Sequence, residues 1–182
     1  MGVRRRGREY ALQMLYAMDL TEYQPDQVFA GFYALQDLNR DAFYYARRLV
    51  DGVWANLEPI DAALQRYAEH WKIHRMAAVD RNLLRLGLYE LMFQKEIPFP
   101  IVINEALEIV KDFSDQEGTP FLNGILDAAR KEYRVGETGG RAKAKAAALA
   151  NPDPELDPDP ELDPDPELES NPELDPHPQD PA

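Results

Sequence analysis

The amino-acid sequence predicts an all-α protein, and three observations carry that reading. Apolar residues recur at steps of three and four, as in Phe43, Ala46, Val50, Val53, Trp54 and Leu57, which marks one buried helix face. Pro25, Pro59, Pro100 and Pro120 each stand where a new periodic segment begins, and proline suits a helix's first turn because its missing N–H costs little there. No alternating segment flanked by hairpin signals occurs.

These signals divide the chain into about seven helices, near residues 4–20, 26–37, 40–57, 59–70, 74–95, 101–113 and 120–133. The first opens on a cluster of arginines, the second follows Pro25, and the third carries the apolar face just named. Pro59 opens the fourth. The fifth holds Met76, Val79, Leu83, Leu86 and Leu91 with Leu84 and Leu88 beside them, a stripe wide enough to be buried on more than one side, as a central helix requires. Pro100 precedes the sixth and Thr119-Pro120 introduces the seventh. Short connections favour antiparallel neighbours. Gly87 and Gly124 stand alone and are expected to permit close helix packing.

At 182 residues and 45% apolar content there is material for one domain with a core, and too little for two ordinary ones. The net charge of −13 argues at first against a nucleic-acid partner, because a negative field repels phosphates. Its distribution reverses that. Residues 151–182 hold twelve of the 33 acids and no Lys or Arg, so residues 1–150 carry 21 acids against all 20 bases and are nearly neutral. The acidic segment repeats with period six, PELDPD from Pro154 and again from Pro160, then PELESN from Pro166 and PELDPH from Pro172. Frequent proline, mutual repulsion and few apolar groups predict a disordered, extended tail. The domain reading is therefore a helical body over 1–135, a Gly/Ala/Lys hinge over 136–150 and an acidic Pro-rich tail over 151–182. At up to roughly 100 Å, the tail is long enough to visit the arginine helix and compete with an anionic ligand there, the alternative being a solvating tail with no effect on binding.

No stretch approaches the roughly 18 apolar residues of a membrane helix. The basic start is followed by Glu9, Gln13 and Asp19 rather than an apolar signal core, so a soluble, cytoplasmic protein is expected. Zero cysteines exclude disulfides, thiolate metal sites and cysteine nucleophiles.

Arg4, Arg5, Arg6 and Arg8 fall at the start of the first helix, where cations oppose the positive end of the helix dipole. Phosphate would compensate, since guanidinium offers a planar fork of donors that matches it. Helical spacing puts Arg4 and Arg8 on one face, with Arg5 and Arg6 fanning around it. The alternative is a solvated basic terminus without a ligand. In the segment from Gly118 to Gly124, Thr119 is a candidate N-cap and Pro120 the first helical residue, leaving backbone N–H groups to receive a phosphate. Phe121 there serves either as core or as a platform for a base. His70 and His74, four apart, have metal-ligand spacing, but HWKIH lacks the glutamate of HExxH and Trp71 reads as packing, so neither metal nor cofactor is expected. Glu105 and Glu108 read as a solvated helix face.

The segments RRRGREYALQMLY, VDRNLLRLGLYEL, INEALEIVKDF and FLNGILD resemble, in that order, the signature segments of the NusB family of bacterial transcription antitermination factors. The resemblance covers residues 4–133 and has no counterpart for the tail. It implies a NusB-type fold of two packed helical bundles that binds single-stranded boxA RNA of nascent ribosomal transcripts. It also implies a partner, the small-subunit ribosomal protein NusE, whose heterodimer with NusB couples boxA to the RNA polymerase antitermination complex; the family also homodimerises. Carried onto this sequence, the RNA contacts fall on Arg4, Arg5, Arg6 and Arg8 and on Glu117, Gly118, Thr119, Pro120, Phe121 and Asn123, while Asp80 matches an acidic position facing NusE. Gly7 interrupts the arginine motif at a cost of about 1 kcal/mol relative to alanine, which predicts arginines ordered only on RNA.

NusB-like domains are also appended to ribosomal RNA 5-methylcytosine methyltransferases, but this chain has neither the length for a Rossmann-type domain nor a Gly-rich cofactor loop nor a cysteine. It is therefore read as no enzyme. The remaining alternatives are a non-catalytic role in ribosomal RNA processing and a protein–protein adaptor.

Overall fold

The computed structural model describes residues 2–35, 38–69, 71–113 and 118–137. They form α1 (Val3–Thr21), α2 (Pro25–Tyr33), α3 (Arg40–Ala55), α4 (Leu57–Tyr67), α5 (Ala78–Phe93), α6 (Phe99–Phe113) and α7 (Gly118–Tyr133), with a 3-10 turn at Ile73–Arg75. The all-α class holds, and no strand occurs among the described residues. None of these helices is long and apolar enough to cross a membrane. Most of the hinge and the whole acidic tail, residues 138–182, lie outside the described part, as do His70 and Glu117.

The ends of the helices follow local chemistry. Pro25 opens α2 inside a capping box of Gln24 and Gln27. Asn39 caps α3 by accepting from the Ala42 N–H at 2.8 Å. The structure shortens the second helix, which ends at Tyr33, and splits the predicted 74–95 helix. Its first residues form the 3-10 turn instead, because the Arg81 guanidinium donates to the carbonyls of Ile73 (3.2 Å) and Met76 (3.0 Å). Arg134 closes the other end of α5, donating to the carbonyls of Glu90, Leu91, Gln94 and Lys95 at 2.7–3.1 Å. The Leu91 carbonyl is one of those a helix C-terminus leaves without an intrahelical donor, whereas Glu90 and Gln94 also accept from the backbone N–H groups of Gln94 and Ile97.

α1 and α3 pair along their lengths with α2 against both, while α6 packs on α7 and α7 on α4; α5 touches α1, α3, α4, α6 and α7 and so joins the two groups. Nine of its sixteen residues are buried, which requires contact on more than one face. Leu83, Leu84, Leu86, Leu88 and Leu91 share one continuous core with Leu12 and Met14 of α1, Leu64 of α4, Ile109 of α6, and Leu122 and Leu126 of α7.

Gly7 lies where α1 approaches α3: a Cβ there would sit 2.6 Å from Tyr45 Cδ1 and 2.9 Å from the Ala42 carbonyl oxygen. The glycine is thus a packing requirement, and Arg4 to Arg8 lie within the first two turns of α1 despite its weak helix propensity. A Cβ at Gly87 would sit 2.9 Å from the Leu126 Cδ2 methyl, a milder restriction because that side chain can shift, whereas a Cβ at Gly124 would meet nothing within 4 Å.

Candidate nucleic-acid interface

α1 starts at Val3 with no acid in its first turn, so its arginines do meet the positive end of the dipole unaided by local carboxylates. Part of the compensation comes from within the fold. Arg5 makes a bidentate pair with Glu105 on α6, Nε to Oε2 at 2.9 Å and Nη2 to Oε1 at 2.8 Å. That hydrogen-bonded pairing raises the Arg5 pKa against the cost of burial. Glu105 is therefore an ion-pair partner rather than a solvated carboxylate, while Glu108 is paired to Lys111 at the surface.

Arg8 departs furthest from the sequence reading. It is 3% exposed and packed beneath α1, donating through Nη2 to Glu90 Oε1 at 2.7 Å and through Nε to both carboxylate oxygens at 3.0 and 3.1 Å. Tyr45 adds a long hydrogen bond from its hydroxyl to the same carboxylate, 3.4 Å, and its ring lies beneath the guanidinium. Burial disfavours the Arg8 charge, but Glu90 outweighs it and drives the pKa up. Burial and the Glu90 charge likewise raise that of Tyr45, which stays a donor. A guanidinium so enclosed is a core ion pair and is withdrawn from any surface phosphate site. Arg4 and Arg6, half-buried, form no ion pair among the described residues; with the remaining face of Arg5 they make the basic edge of α1.

At the second predicted region, α7 includes Gly118 and Thr119, so Thr119 lies in the first turn rather than capping it, and Pro120 is third rather than first. The proline still falls where its absent N–H is harmless. Pro120 and Asn123 are exposed, Gly118 is buried, and Phe121 is half-buried against the core.

Trp71, read from sequence as packing, is instead 55% exposed. Its ring meets Phe121 edge-on, with centroids 6.4 Å apart and planes at 60°. Its carbonyl accepts from Gln65 Nε2 at 3.2 Å, which fixes the main chain beneath the ring. Trp71, Met76, Gly118 and Phe121 line a cleft of about 240 Å³, with Arg75 and Asp80 also on its wall. Asp80, predicted to face a protein partner, and Phe121, predicted to contact RNA, thus share one cleft.

The cleft is supported by an ionic network at the start of α5. Arg81 pairs with Asp19 of α1, and Arg85 bridges Asp19 (3.3 Å) and Asp61 (2.8 Å). Burial would raise the Asp19 pKa, but its hydrogen bond and charge contact with Arg81, aided by Arg85, bring it below its ordinary value. The arginine edge is elsewhere. Arg8 reaches Glu90 while Asp80 lines the cleft, ten residues apart on α5. At about 1.5 Å per residue this separates the two features by roughly 15 Å along the helix axis.

Residues 5–131 match the model of the NusB family. The chain is 41% identical over 129 residues to the transcription antitermination protein NusB of Desulforudis audaxviator, covering 71% of this chain and 94% of that relative. It is 40% identical over 131 residues to NusB of Myxococcus xanthus, covering 70% and 94%. Among solved structures, T. maritima NusB is similar with a TM-score of 0.66 at 34% identity, covering 77% of this chain and 96% of that one. A chain from the crystal structure of antitermination factors NusB and NusE in complex with dsRNA is similar with a TM-score of 0.63 at 33% identity, covering 72% and 98%. With helices, order of segments and identity agreeing from Arg5 to Lys131, the chain belongs to the NusB family.

Proposed function

We propose that this chain is a non-enzymatic transcription antitermination factor that binds boxA-type single-stranded RNA of nascent ribosomal transcripts together with NusE and couples it to RNA polymerase. The observation that carries the reading is the family match across residues 5–131, with relatives that are antitermination proteins and a similar structure determined with NusE and dsRNA. Arg4 and Arg6 hold phosphates, joined by Arg5 when phosphate exchanges with Glu105. The start of α7, from Gly118 to Asn123, with Glu117 before it, forms the second contact through Phe121. Asp80, at the start of α5, faces NusE.

The test is a titration of boxA-like and scrambled RNA, each with and without NusE, over a range of salt. Tighter binding of the boxA-like RNA, strengthened by NusE, is expected. With Arg8 withdrawn and about three phosphates neutralised, log K should fall against log salt with a slope of about −2. Equal affinity for the two RNAs, or RNA binding indifferent to salt, overturns the reading in favour of a protein–protein adaptor.

A further inference from the structure

We propose that Trp71 is a second base-stacking residue of the RNA site, seating one unstacked nucleobase with Phe121 in the cleft they share; this rests on the RNA-binding reading above. Trp71 is 55% exposed although its main chain is hydrogen-bonded on both sides, its N–H donating to the Ala68 carbonyl and its carbonyl accepting from Gln65, and Arg81 donates to the carbonyls of Ile73 and Met76 just beyond it. An exposed indole forgoes the hydrophobic gain of burial, and on a fixed backbone it gains little freedom in return. That is the arrangement of a preorganised contact group.

The geometry points to a base as occupant. Trp71 and Phe121 meet edge-to-face, so the contact consumes at most one of their four ring faces. A cleft of about 240 Å³ opens beside the pair, and a larger depression of about 570 Å³, bounded by Arg66 and Pro120, is also lined by both rings. The first is smaller than the roughly 300–1,000 Å³ pockets of drug-sized ligands and suits a single planar ring system. Arg75 on its wall offers a cation to the backbone of the same nucleotide. Stacking on exposed aromatic rings is how unpaired RNA is held.

The chain has two tryptophans, so the full-length Trp54→Phe variant leaves Trp71 as the sole indole. Titrated with the boxA-like RNA, it should lose Trp71 fluorescence along the same isotherm as RNA binding. Trp71→Leu keeps an apolar cover over Phe121 but has no π face. It should bind RNA roughly 5- to 150-fold more weakly with an unchanged salt slope, and Trp71→Phe should recover most of the affinity. If RNA binds in an Arg4- and Arg6-dependent way while Trp71 emission and Trp71→Leu affinity stay unchanged, the inference is overturned and the RNA-binding reading survives. If the indole responds to NusE and not to RNA, the cleft is a protein surface and the inference is equally overturned. Should Trp71→Leu fail to fold, the fluorescence titration of Trp54→Phe decides alone. Absence of RNA binding by the unaltered chain removes the reading beneath.

Discussion

Replacing Arg8 with alanine removes the cation from a pair whose side chains are 4% and 2% exposed and whose Nη2–Oε1 distance is 2.7 Å. Glu90 would then be left as a buried carboxylate with only the 3.4 Å hydroxyl of Tyr45 beside it. Removing one partner of such a pair costs about 3–5 kcal/mol, a large share of the roughly 5–15 kcal/mol that holds a domain folded. At roughly 3 °C per kcal/mol for a body of this size, the melting temperature should fall by about 10–15 °C. Urea unfolding followed by circular dichroism measures this directly. A loss below about 1 kcal/mol would refute the reasoning, since the pair would then be solvated and Arg8 free to meet phosphate. The paired replacement Arg8→Met with Glu90→Leu removes both charges and should recover most of the stability. If it folds, its RNA salt slope should equal that of the unaltered chain. A slope shallower by about 0.7 would show that Arg8 contacts a phosphate after all.

The joint change of Arg4 and Arg6 to alanine should leave the melting temperature within about 2 °C, because surface substitutions away from special features are worth at most about 0.5 kcal/mol. RNA affinity should nevertheless fall, with a slope shallower by about 1.4; an unchanged slope in filter binding counts against the arginine edge. Gly7→Ala should destabilise by about 1–3 kcal/mol in thermal unfolding despite alanine's better helix propensity, because the Ala42 carbonyl at 2.9 Å is backbone and cannot step aside; a more stable variant rejects the close approach. Because the folded pKa of Asp19 is depressed, its contribution is present above its unfolded value and lost as pH falls through the folded one. The stability gap between the unaltered chain and Asp19→Asn should therefore be full at neutral pH and shrink below about pH 4; a gap independent of pH would show that Arg81 does not stabilise the charged form. Truncation after Ala150 removes twelve acids and should tighten RNA binding at low salt but not at high salt, where charges are screened beyond about 3 Å at 1 M. Equal low-salt affinities would dismiss competition by the tail.

The helices were legible because burial imposes its period on the chain: Phe43, Ala46, Val50 and Val53 of α3 and the leucines of α5 are buried, whereas Trp54, read as part of the same face, is 42% exposed and Leu57 only partly buried. Arg8 was misread although a local signal existed. It precedes Ala11, Leu12 and Leu15 by three, four and seven positions, so it continues the apolar face of α1 rather than the polar one. Glu90 interrupts the apolar run of α5 in the same manner. A lone charge on each of two buried faces, opposite in sign, is a readable ion pair once both faces are drawn. No such signal marked Trp71 or the C-terminal closure of α5 by Arg134. Trp71 stands between regular elements, and its exposure depends on where α7 begins, some fifty residues later; Arg134 meets carbonyls 39 to 44 positions earlier in the chain. Asp80 and Phe121 share a cleft for the same long-range reason.

On the proposed reading, the division of the arginine cluster bears on how this surface would discriminate among RNAs. Four phosphate contacts would have given a strongly electrostatic, sequence-blind grip, since phosphate contacts position a nucleic acid without reading it. With Arg8 in the core and Arg5 shared with Glu105, two or three remain, a slope of about −1.4 to −2. A weaker ionic hold lowers affinity for every RNA alike and leaves preference to contacts that touch bases, which salt screens little. On the proposed reading, the affinity ratio between boxA-like and scrambled RNA should hold nearly constant as salt rises, while both affinities fall in parallel. A ratio that collapses toward one with rising salt would mean that the preference itself is ionic, and the aromatic cleft would then have no part in it.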